Sequence, residues 1–194
     1  MTTQKFEEVL NDLYDAVFLG DPDLLLQYQR ENGLLNDLLG EFTTQDSGDD
    51  VVEKGVIIPI RGIDQPYTVY FNVGGEAPEL LKQGNQLQHK QSGYLLTVGD
   101  GDIYLYTVPY LKNFTPEAIS SLKQHRKEKI RLKKGLYAVT ILGGFTLQSY
   151  EIADKNGKTS AVDSMGPTLE FLIESVGENA PFTADVNYDF SLSD

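Results

Sequence analysis

Cysteine is absent from the 194 residues, tryptophan is absent, and histidine occurs twice, at His89 and His125. Without cysteine there is no disulfide framework and no thiolate nucleophile, which fits a reducing compartment. Neither histidine has a companion at metal-ligand spacing, so zinc, iron and copper sites of the usual kinds are excluded. Long apolar runs are missing too, and none approaches the length of a membrane span. The start "MTTQKFEEVLNDL" carries acids where a secretory leader needs a basic start followed by an apolar run. A cytoplasmic location is the expectation.

Bases are the other scarcity. Sixteen Lys and Arg face 29 Asp and Glu, a formal charge of −13. Residues 1–54 hold 13 acids against 3 bases and residues 151–194 hold 9 against 2, while residues 123–134, "KQHRKEKIRLKK", carry seven bases and one acid. Such a charge repels nucleic acid and anionic membrane and favours either a basic protein partner or simple solubility. The basic run has no interleaved aromatic side chains on which bases could stack, so nucleic-acid binding is disfavoured. A solvated face, or pairing with acidic segments of the same chain, accounts for it.

What is present points to an α+β fold, with N-terminal helices packed on a largely antiparallel β-sheet or sandwich. Phe6, Val9, Leu10, Leu13, Val17 and Phe18 recur at helical spacing after a Thr2 or Thr3 cap, and Gly20 suits the end of such a helix. Asp21 and Pro22 read as N-cap and first residue of a second helix closed by Gly33, and "LLNDLLGEF" adds another turn. Residues 3–31 are thus predicted as a helical pair, with Phe6, Leu10, Leu13 and Val17 against the sheet. A helical segment over 1–42, an acidic loop over 43–54 and a β-rich body over 55–194 make one compact domain.

In that body "GVIIPIRG" and "PYTVYFNV" read as one hairpin, its first strand an edge because of Pro59. "GYLLTV" and "IYLYTV" read as another hairpin around "GDGD". "APELLKQG" is a helical turn, Thr115 and Pro116 open a helix, and a strand begins near Lys129 with Ile130 and Leu132 inward. "LYAVTIL", "FTLQSYEIA" and "TLEFLIES" are strands, "KNGK" a tight turn, and the tail "PFTADVNYDFSLSD" a last strand. Gly74-Gly75 and Gly143-Gly144 lack the spacing of phosphate loops and are assigned to turns.

Catalytic signatures are weak. The acids at 46–53 and at 100–102 lack the alternating donors and distant Glu of a calcium loop, and no serine sits in a nucleophile elbow. No cofactor and no enzymatic activity are expected. In general character the chain resembles bacterial immunity proteins, which block a co-encoded toxin and are small, soluble, often acidic and without catalytic residues. That resemblance implies an inhibitor of a basic toxin or nuclease. A structural or adaptor subunit of a larger assembly is the second reading, and an enzyme using carboxylates alone the third. The expected binding residues are Asp46, Asp49, Asp50 and Glu53, for long-range attraction, with Tyr104, Tyr106 and Tyr110 as anchors.

Overall fold

The computed structural model describes residues 4–8, 16–125, 129–153 and 159–193. It is an α+β fold in three layers: a five-stranded sheet, a four-stranded sheet packed on it, and helices over the second sheet's far face. The strands are β1 (Gln4–Glu8), β2 (Ala16–Gly20), β3 (Ile57–Arg61), β4 (Tyr67–Val73), β5 (Gln86–Val98), β6 (Ile103–Thr107), β7 (Lys129–Ile130), β8 (Gly135–Ala153) and β9 (Thr159–Val176). The larger sheet has the order β1-β4-β9-β8-β5 and the smaller β3-β2-β6-β7. Among the described residues every strand pairing is antiparallel except that of β4 with β9. The helices are α1 (Pro22–Glu31), α2 (Leu38–Thr44), α3 (Ser47–Glu53), α4 (Val108–Lys112) and α5 (Pro116–His125).

The alternation of side chains along the smaller sheet builds two cores from one set of strands. Val17, Leu19, Ile58, Ile60, Ile103 and Leu105 face the larger sheet, against Val69, Val139, Ile141 and Phe171. Their neighbours Phe18, Ile57, Tyr104 and Tyr106 face the opposite way, under Leu25, Leu38, Val51 and Leu122 of the helices.

This doubly buried sheet explains the main departures from the sequence reading. The helix expected over 3–18 is β1 and β2 where the structure describes it; Val9, Leu10 and Leu13 lie outside the described residues. Val17, Phe18 and Leu19 are all buried because a central strand covered on both faces needs a continuous apolar run, which mimics a helical stripe when read with its upstream neighbours. The first helix is α1, capped as expected: Asp21 accepts from the amides of Asp23 (2.9 Å) and Leu24 (3.4 Å), and Pro22 opens it. Residues 47–53, expected as loop, form α3, whose buried Val51 and Val52 pay for the turn.

Neither expected hairpin forms. β3 lies in the smaller sheet and β4 in the larger; β5 and β6 are divided the same way. Both "GIDQ" and "GDGD" are therefore crossings between layers. Pro59 does sit on an edge strand. The two strands expected over 136–153 are one, β8, so Gly143 and Gly144 lie in a strand interior, where a Cβ on Gly144 would come 2.1 Å from the Gln86 carbonyl oxygen. Gly74 and Gly75 do turn, with φ of +99° and +94°. The "KNGK" turn is outside the described residues. The tail makes no strand. A single bridge joins Asp189 to Arg61, and Phe190 plugs the core beside His89, whose ring nitrogens meet the Tyr188 hydroxyl (3.1 Å) and the Ser191 carbonyl (2.9 Å).

On the outer face of the larger sheet a 3-10 turn at Glu79–Leu81 is pinned by Glu170, which is fully buried. Its carboxylate accepts from the amides of Glu79 and Leu80, each at 2.9 Å, and from the Asn72 side chain at 3.3 Å. No helix among the described residues is long and apolar enough to cross a membrane.

Candidate functional site: an acidic wall beside an apolar groove

Helices α2 and α3 follow one another in the chain and pack over the smaller sheet. Between Asp37 and Glu53 the sequence holds six acids and no base. Asp37 caps α2, accepting from the Gly40 amide at 3.0 Å. Leu38, Val51 and Val52 face inward, so the acids are left on the outside; Asp46, Asp49 and Glu53 are exposed. Asp50 differs. It accepts from the Tyr28 hydroxyl (2.7 Å) and the Lys54 ammonium (2.7 Å), and these two, Lys54 first, hold its carboxyl below the usual range. Tyr28 is pushed up in turn, by burial first and by Asp50 second.

Beside this wall is an open groove of about 620 Å³. Phe18 and Pro59 of the sheet, Leu39 and Phe42 of α2, Val52 of α3 and Leu111 of α4 line it. Asp37 and Asp49 reach it from the wall, and Arg61 and Lys112 from β3 and α4. Apolar floor and charged flanks suit a chain segment with an apolar anchor and basic neighbours, because the anchor removes water and the charges orient. None of the apolar groove residues was singled out from sequence as part of a binding site; Phe18 was read as part of a helix face and Pro59 as the mark of an edge strand. Leu39 and Phe42 read as ordinary helix residues, and only the packing shows that α2 leaves them half-buried.

The tyrosines expected as anchors are elsewhere. Tyr104 and Tyr106 are 2% and 1% exposed, in the core under the helices, so they cannot meet a partner. Tyr106 stacks with Phe18 at 6.3 Å between centroids, and burial pushes its phenol well up. Its hydroxyl has no hydrogen-bond partner among the described residues. Tyr104 lies beneath the Lys129 ammonium, 5.9 Å from its centroid. Tyr110 is partly buried against the helical core.

Among the described residues, four of the seven bases of the run are paired with acids of the same chain. Lys123 bonds Asp23 on α1, Lys129 and Arg131 (2.6 Å) clamp Asp102, and Lys134 stands 3.6 Å from Asp100. Ile130 is buried and Leu132 packs on the core, as the alternation requires. Arg131 first, and then Lys129, hold the Asp102 carboxyl below its ordinary range against the opposing effect of burial. Those bonds fasten the end of α5 to α1, and β7 and the residues after it to the 99–102 crossing. Among the described residues no group of three or more His, Asp or Glu is placed to hold a metal ion.

Comparison with family models, with curated proteins and with solved structures gives no match.

Proposed function

We propose that the protein is an acidic, non-catalytic binding module of the cytoplasm that neutralises a basic protein partner, in the manner of an immunity protein acting on a toxin or nuclease. The observation that carries this reading is the continuity of the acidic α2–α3 wall with the apolar groove at its foot. Charge of this kind raises the rate of encounter with a basic surface, and a desolvated anchor then slows departure. Asp46, Asp49 and Glu53 supply the first, with Asp50 largely neutralised by Lys54; Phe42, Leu39 and Leu111 supply the second in place of Tyr104 and Tyr106. A nuclease blocked this way would find carboxylates where its phosphates normally lie.

The test begins with the protein that co-purifies from the native host, identified by mass spectrometry and then made pure. Asp46→Asn, Asp49→Asn and Glu53→Gln combined should slow association about tenfold and flatten its salt dependence, leaving dissociation nearly unchanged. Phe42→Ala should do the reverse, speeding dissociation about tenfold or more. A partner without basic surface, or an on-rate indifferent to both the wall variant and salt, would remove the wall from the mechanism.

A further inference from the structure

The C-terminal segment keeps the period of a strand without joining a sheet. From Pro181 to Ser193 exposed and inward positions alternate at every residue, and Phe182, Ala184, Val186, Tyr188, Phe190 and Leu192 are the inward ones. Phe190 is fully buried and the other five are half-buried. The backbone is held at scattered points rather than by a ladder. The Thr183 amide donates to the Gly93 carbonyl and the Phe190 amide to the Arg61 carbonyl, each at 3.0 Å. The Ser193 amide donates to the Gln88 side chain at 2.9 Å, and the Tyr94 hydroxyl to the Asp185 carbonyl at 3.1 Å. These partners belong to β5 and β3, the edge strands of the larger and the smaller sheet. Residues 182–193 are thus a strap laid across both edges.

Its seat is shaped to receive it. Gly62 and Gly93 have φ of +78° and +93°. A Cβ on them would come 2.5 Å from the Ser191 amide nitrogen and 2.8 Å from that of Ala184, so the strap lies where side chains would stand. Phe190 meets His89 and Tyr188 edge-on, at 6.0 and 4.8 Å between centroids. Midway along the strap, Val186 and Asn187 line the groove beside Pro59 and Arg61, and the Arg61 guanidinium donates to the Asn187 side chain at 3.2 Å. One buried anchor, half-buried neighbours and scattered hydrogen bonds mark the low-stability end of a structure, where segments open without global unfolding.

We infer that residues 182–193 form a latch that opens as one unit, carrying Val186 and Asn187 away from the groove while both sheets stay folded. Seated, the strap completes the groove and covers the β3 and β5 edges. Released, it removes one side of the groove and uncovers the socket of Phe190. A molecule that touches the strap and α2 together favours the seated state, so seating and occupation of the groove reinforce each other by linkage. The latch itself is a property of the free chain, independent of the proposed basic partner.

Hydrogen exchange of the full-length chain alone, resolved to single amides by NMR, tests the unit. The Thr183, Phe190 and Ser193 amides should be protected about tenfold or more less than residues 139–142 of β8. Tyr94→Phe removes only the bond to Asp185, near the start of the strap. If the strap opens whole, this change speeds exchange at Phe190 and Ser193 as much as at Thr183, about threefold. A tail that frays from its end would leave Phe190 and Ser193 unchanged, and that result overturns the inference. So does a strap as protected as β8. The groove is read separately, by spin labels on Thr43→Cys of α2 and Asn187→Cys of the strap, the two thiols of an otherwise cysteine-free chain. Adding Phe190→Ala should turn one distance across the groove into two, the longer belonging to the released strap. A single unchanged distance in a folded Phe190→Ala protein overturns the link to the groove; if that variant does not fold, the Tyr94→Phe exchange decides alone. Neither readout involves a partner, so failure of the wall to bind a basic protein leaves both results standing.

Discussion

Gly101→Ala offers a sharp check on how the helical layer is attached to the sheet. A Cβ at that position would lie 2.6 and 2.7 Å from the two carboxyl oxygens of Asp21 and 2.9 Å from its Cγ. Contacts that short are usually relieved by swinging the side chain away. Asp21 cannot swing: it is 1% exposed, and its carboxyl holds the amides of Asp23 and Leu24 at the start of α1 and that of Gly101 itself. Either the cap breaks, costing about 1 kcal/mol, or the 99–102 crossing shifts and strands a buried carboxyl, costing about 1–3 kcal/mol. Whichever gives way, the loss is about 1–3 kcal/mol, or roughly 2–12 °C in Tm at ~2–4 °C per kcal/mol for a chain of this size. Differential scanning calorimetry of a double-mutant cycle isolates the cause. In an Asp21→Ala background the same Gly101→Ala change has room and should cost no more than about 0.5 kcal/mol beyond the first substitution. Equal costs in both backgrounds would refute the reasoning and place the demand on Gly101 in its own backbone.

Three further expectations concern buried carboxylates. Asp102 is held below the ordinary carboxyl range by Arg131 and Lys129, so the folded state binds its proton less readily than the unfolded chain. Its contribution is present above that ordinary range and is lost as pH falls through the folded value. Asp102→Asn should therefore lower Tm by a few degrees at neutral pH and by progressively less in acid, as followed by circular dichroism. Asp21 has the opposite sign: burial raises it, and its stabilisation declines as pH climbs from the ordinary range to the raised value. Glu170→Gln should cost about 1–3 kcal/mol in urea unfolding, because the Glu79 and Leu80 amides donate to different carboxylate oxygens and the substitution turns one of these acceptors into an NH2 donor. A neutral outcome would mean that the 76–82 segment is not held through this carboxylate.

Local chemistry was legible where one short stretch decides the geometry. Asp21-Pro22 and Thr115-Pro116 open α1 and α5 as written, the Ala118 amide donating to Thr115 at 3.2 Å, because a cap needs only a side chain and the next turn. Pro59 declared its edge for the same reason. Layer membership was not legible. "GIDQ" and "GDGD" have the residues of hairpin turns, yet each leads from one sheet to the other, a choice made by the apolar faces of strands far apart in sequence. Tyr104 and Tyr106 were misplaced by the same gap. Their alternation gives a shared face, but only the helices above it decide that the face is buried. The groove was invisible because it is a property of what α2, α3 and α4 leave uncovered.

On the proposed reading, the acidic excess in a chain of charge −13 would attract a basic partner to the α2–α3 wall, and salt would weaken that complex. Lys123, Lys129, Arg131 and Lys134 are each engaged by an acid of the same chain, at Asp23, Asp102 and Asp100, on the side of the molecule where α1 and the 99–102 crossing meet. The six acids between Asp37 and Glu53 take no part in that pairing; Asp50 is held by Lys54, and Arg61 and Lys112 reach the groove at the foot of the wall. On the proposed reading it is this placement of acids beside an open apolar groove, rather than the total charge, that would distinguish a binding surface from an acidic balance kept for solubility.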